Sequence, residues 1–219
     1  MRAAGLLLPL GLAGALGALA FAVENAHQSW GALFLTDVVG AGAGTAAWAP
    51  AVFAGVVAFT RFAVGAASDP PAGVVLVVGG SVAAAGTALV AAATTVPIAL
   101  IGLAAAAAGT AVLFPTLLVA ATAQIPDRLN GTVTSAITTL AYLGFLAGPV
   151  YVGWWSQARG LPAAMAAVAA LPAVFVLAAV PATRVIARRS AQRGTESQAE
   201  PEGDSRGTGT YGKLTECSP

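Results

Sequence analysis

Six apolar runs, each of about the 20 residues needed to cross a hydrocarbon core of about 30 Å, follow one another along this chain. They cover Gly5–Thr36, Gly44–Ala67, Gly73–Thr95, Pro97–Ala123, Thr132–Gln157 and Pro162–Ile186. Charge placement gives these runs their meaning. From Gly5 to Pro181 there are only seven ionisable acidic or basic residues: Glu24, Asp37, Arg61, Asp69, Asp127, Arg128 and Arg159. All but Glu24 fall at or near the end of a run, as expected where an ionised group at mid-bilayer is costly. Charged residues make up 9% of the chain, against about 25% in ordinary globular proteins, too few to cover a soluble fold. The pattern predicts an all-α integral membrane protein with six transmembrane helices.

The breaks between runs carry turn chemistry. Ser68-Asp69-Pro70-Pro71-Ala72-Gly73 parts the second and third, and Gln124 to Gly131 parts the fourth and fifth. Pro162 suits the first turn of the sixth helix. The break at Thr94-Thr95-Val96-Pro97 is short and uncharged. From Arg188 the composition turns to Ser, Gln, Glu, Gly, Thr and Arg, so residues 1–187 are expected to form the bundle and 188–219 a disordered tail.

Basic residues set the expected orientation. With the amino terminus cytoplasmic, Arg2, Arg61, Arg128, Arg184, Arg188 and Arg189 lie inside and only Arg159 outside. The chain is therefore expected in the cell (plasma or inner) membrane with both termini cytoplasmic. Trp30, Trp48, Trp154 and Trp155 then fall toward the outer ends of their helices, as an aromatic belt would. A secretory signal ending at Ala20-Phe21-Ala22 is the rival reading, but the apolar pattern runs on to Leu35.

Composition also excludes functions. A formal net charge of +1 provides no polybasic surface for nucleic acid. The single Cys217 and single histidine leave neither a disulfide framework nor a metal site, and no cofactor is expected. No phosphate loop, H-E-x-x-H or paired nucleophile and base is present, so the chain is not expected to be an enzyme.

Small residues dominate the spans and allow helix backbones to approach closely, which supplies much of the attraction between helices in lipid. Gly144-x-x-x-Gly148, followed by Pro149, forms one such ridge. Pro50, Pro115 and Pro172 lie inside other spans; each leaves a carbonyl that a neighbour must satisfy.

The informative stretch is Glu24-Asn25-Ala26-His27-Gln28-Ser29-Trp30. Glu24, His27 and Gln28 are spaced i, i+3 and i+4, which predicts one shared face. Glu24 lies about 20 Å along the helix axis from Asp37, near mid-membrane. These residues are expected to form a protonatable or solute-binding site facing a cavity, with Tyr142 of the fifth span as a further candidate. The alternative is a wet helix end bonded to neighbouring helices.

The chain resembles the carboxy-terminal half of a bacterial major facilitator superfamily transporter, in the fucose-permease-like and uncharacterised inner-membrane branch. Three stretches carry the likeness. Glu24-x-Ala26-x-x-x-Trp30-x-Ala32-Leu33-Phe34-Leu35 looks like that branch's seventh helix, usually E-x-A-x-x-x-W-S-A-x-Y-L. Phe114-Pro115 looks like its tenth. Tyr142-Leu143-Gly144-Phe145-Leu146-x-Gly148-Pro149-x-x-x-Gly153 looks like its eleventh. Gly65-x-x-x-Asp69 fits the start of the loop motif G-x-x-x-D-R-x-G-R-R, but Pro70 and Pro71 follow and the basic residues are absent. Arg61, one turn earlier, is the expected partner of Asp69 in a cytoplasmic-side latch with Gly65.

The resemblance implies a half bundle built as a 3+3 repeat that moves a small solute by alternating access, with proton coupling as one mode. Such transporters use two six-helix halves, so a second half or a homodimer is the implied partner alongside lipid. The competing expectation is a non-transporting module, either truncated or a scaffold for another membrane protein.

Overall fold

The computed structural model describes residues 4–65, 70–123 and 125–198. Among them there is helix and no strand: α1 (Ala4–Asp37), α2 (Ala43–Ala46), α3 (Trp48–Gly65), α4 (Ala72–Ala91), α5 (Val96–Ala111), α6 (Leu113–Thr122), α7 (Asp127–Arg159) and α8 (Leu161–Gln198). The short α2 continues into α3, and α5 into α6. Six helices long and apolar enough to cross a membrane result: Leu8–Asp37, Ala43–Gly65, Ala72–Ala91, Val96–Thr122, Asp127–Arg159 and Leu161–Pro181. This is a multi-pass membrane bundle.

Three boundaries differ from expectation. The third span stops at Ala91, not Thr95. Thr94 and Thr95 are β-branched and Thr95 is extended, so the chain straightens before α5 begins at Val96 with proline in its first turn. The fifth helix starts at Asp127, five residues before the expected Thr132. Pro126 leads into it and Asp127 complements the positive end of the helix dipole. Its polar first turns lengthen the helix beyond its apolar part. The last helix runs to Gln198, so the tail expected from residue 188 is helical through that point. Ala187, Arg188, Arg189, Ala191, Gln192 and Arg193 are adequate helix formers. Residues 199–219 lie outside the described residues.

The first helix is the spine: α1 packs against α3, α5, α6, α7 and α8. Its closest partner is α7. A Cβ on Gly144 would run into the backbone of Ala18, and one on Gly148 would sit 2.7 Å from the carbonyl oxygen of Ala22. The expected glycine ridge is thus seated on an alanine pair of the same spacing. A second close approach joins antiparallel α4 and α5, where Gly79 meets Gly109 and Gly86 meets Gly102 backbone to backbone. Two apolar clusters fill the interior. Leu35, Phe53 and Leu103 centre one toward the Asp37 end, and Leu16, Leu117, Ile137 and Phe175 the other. Against this, α3 touches only α1, α2 and α5 among the described residues, which makes it the least enclosed span.

Candidate functional site

Halfway along α1, the Glu24 carboxylate accepts hydrogen bonds from Gln28 Nε2 and from Arg61 Nη2 of α3, both at 3.3 Å. It is the one ion pair among the described residues. The Glu24 side chain is 15% exposed and that of Arg61 44%, so the pair opens onto one side of the bundle. Gln28 is exposed beside it.

Arg61 has a second attachment. Its Nε donates to the carbonyl oxygen of Ala111 at 3.3 Å. That oxygen would ordinarily accept from the backbone nitrogen four residues on, which belongs to Pro115 and carries no hydrogen. The helix breaks there: α5 ends at Ala111 and α6 restarts at Leu113. Thr110 bends its hydroxyl back onto the Ala106 carbonyl in the same turn, a bond that often accompanies a bent helix. One guanidinium therefore links a carboxylate on α1 to the freed carbonyl of a broken helix.

The second interior proline is met in the same manner by a different group. Pro149 frees the carbonyl of Phe145, and Asn25 Nδ2 donates to it. Asn25 is 8% exposed, and its Oδ1 accepts from Ser29 Oγ at 2.9 Å. Pro172 frees the Val168 carbonyl instead, and Tyr151 donates to the neighbouring Ala167 carbonyl at 3.2 Å.

The expected single face of Glu24, His27 and Gln28 does not form as drawn. Glu24 and Gln28 are together, but His27 is fully buried on the bundle side of α1. The reason is angular: at 100° per residue, positions 27 and 28 diverge enough for one to face neighbours and the other the opening. His27 lies 5.4 Å from the Phe53 ring, and its Nε2 is 2.9 Å from Thr87 Oγ1 of α4. Thr87 spends its one proton on the Ala83 carbonyl at 2.7 Å, so His27 Nε2 is the donor. Its Nδ1 meets no partner among the described residues.

Tyr142 is 53% exposed and stands on the open side. Its ring packs 5.3 Å from Phe21, which in turn lies 4.5 Å from Phe114. Phe21 is one turn before Glu24 on the same face. The charged pair therefore lies next to an aromatic shelf drawn from α1, α6 and α7. Arg61 is engaged by Glu24 in this conformation; Gly65 ends α3 and is exposed, and Asp69 lies outside the described residues.

Phe21, Asn25 and Thr87 were not singled out in the sequence, nor was the partnership of Arg61 with Glu24. Counting four residues back from Pro115 and Pro149 would have located both freed carbonyls, and the polar residues able to reach them are few. No group of three or more His, Cys, Asp or Glu is placed to hold a metal among the described residues. No protein-family model matches the chain, and no curated protein matches it.

Proposed function

We propose that this chain is a membrane transport module of the kind the resemblance implies, half the size of a major facilitator, moving a small solute by alternating access. The observation that carries this reading is the Glu24–Arg61 pair: a carboxylate midway along α1 and a guanidinium near the end of α3, opening sideways and tied to the break at Pro115. An exposed guanidinium cannot be left against hydrocarbon, so that side of the bundle lines water or a protein partner. A second six-helix half or a second copy of this chain covers it. Solute hydroxyls or amides bond to Glu24, Gln28 and Arg61 while an apolar face rests on Phe21 and Tyr142.

Proton coupling follows from the same links. A proton on Glu24 removes the charge that holds Arg61, leaving the Ala111 carbonyl as its remaining partner. The link between α1 and α3 is then lost, and α3 is the span with the fewest neighbours to restrain it. In this reading both termini are cytoplasmic and the Asp37 end faces outward.

The test is flux in vesicles reconstituted with the full chain, against a panel of monosaccharides, polyols, amino acids and organic amines, with an imposed pH gradient. Solute uptake that falls to background in Glu24→Gln supports the proposal. Uptake unaffected by that change would remove Glu24 from the mechanism, and no uptake under any gradient would favour a non-transporting module.

A further inference from the structure

A groove lies at the Asp37 end of the bundle, about 20 Å along α1 from Glu24. Trp30, Leu33 and Asp37 of α1 face Ser156 of α7 and Pro162 of α8 across a volume of about 590 Å³. The α1 residues are spaced i, i+3 and i+7, hence on one face. The Trp30 indole lies along α7 at Gly153, where a Cβ would come within 3.5 Å of the ring. Thr36 Oγ1 donates to Asp37 Oδ1 at 2.8 Å, and Asp37 makes no ion pair among the described residues. Arg159, the cation nearest in sequence to this end of α7, stacks 5.9 Å over the Trp155 ring.

A carboxylate beside an indole and a leucine in one groove is complementary to an ammonium group on an apolar body. The carboxylate supplies a charge-assisted acceptor and the indole face attracts cations. An anion is disfavoured: Asp37 repels it, and Pro162 removes a backbone donor from the first turn of α8. The exposed Trp48 and Trp154 share this end of the bundle, so the groove sits at headgroup depth. We propose that the groove is a binding site for an ammonium-headed amphiphile. An ethanolamine-type phospholipid headgroup and a free alkylamine both present that chemistry, and the two arms of the test tell them apart.

Native mass spectrometry tests this on the full chain released from nanodiscs of equal phosphatidylethanolamine and phosphatidylglycerol, with octylamine added in a second arm and octanoate as its anionic control. We expect retained phosphatidylethanolamine to exceed phosphatidylglycerol. Losing one charge-assisted contact should weaken that retention about tenfold in Asp37→Asn. Asp127→Asn, at the opposite end of α7, should leave it unchanged, and Trp30→Leu should weaken it by a smaller factor. Asp37-dependent binding of octylamine without any lipid preference assigns the site to a soluble amine. Equal retention of both lipids together with octylamine binding that ignores Asp37→Asn overturns the proposal.

Discussion

Two helices in this bundle carry the same defect and repair it differently. In α7, Pro149 frees the Phe145 carbonyl, which the neutral, buried amide of Asn25 takes up. In α5/α6, Pro115 frees the Ala111 carbonyl, which the charged, half-exposed Arg61 takes up while also holding Glu24. The first repair involves no titratable group and sits beside the tight seam of Gly144 and Gly148 against α1. It is a weld. The second shares its guanidinium with a carboxylate on α1 whose charge a proton can remove, and it sits beside the loosely packed α3. It is a joint that can open. What separates a fixed bend from a moving one here is therefore the chemistry of the side chain that satisfies the proline, not the proline.

The comparison can be broken at several points. The largest effect is expected at the weld's backbone contact. Gly144→Leu drives a side chain into the Ala18 backbone and should lower stability by about 3 kcal/mol or more, read from thermal unfolding of the purified protein. Asn25→Leu strands the Phe145 carbonyl and should destabilise by about 1–3 kcal/mol. Adding Pro149→Ala to that variant restores a backbone donor and should recover most of the loss; no recovery would mean that Asn25 acts elsewhere. Thr87→Val removes the acceptor of His27, which should cost about 1 kcal/mol and leave flux intact, in keeping with a structural histidine. Glu24→Gln should change stability least, by under about 1 kcal/mol for a partly exposed pair, yet abolish flux. A large stability loss there would make the pair a second weld.

Much of the fold was legible because hydrocarbon imposes a simple code. Long apolar runs with charges at their ends placed all six spans, and the ridge at Gly144 and Gly148 announced its own contact. Gly79 and Gly86 against Gly102 and Gly109 carried a similar signal, a matched spacing on consecutive helices. What could not be read was which way α1 is turned. Glu24, His27 and Gln28 look equivalent by spacing, and only the positions of α3 and α4 send His27 inward and leave Gln28 open. The partner of Arg61 was equally hidden, since Asp69 is near in sequence whereas Glu24 is near only once α1 and α3 pack. The limits of α7 and α8 escaped because polar residues end an apolar run without ending a helix.

The central claim is that the charge on Glu24 holds α3, through Arg61, against α1. It is tested most directly by the distance across that joint. Spin labels at Phe59→Cys on α3 and Leu12→Cys on α1, both exposed positions, in a Cys217→Ser background would report it by double electron–electron resonance. One narrow distribution with Glu24, replaced by a broader or longer one in Glu24→Gln, is the predicted result. Indistinguishable distributions in the two proteins would contradict the account.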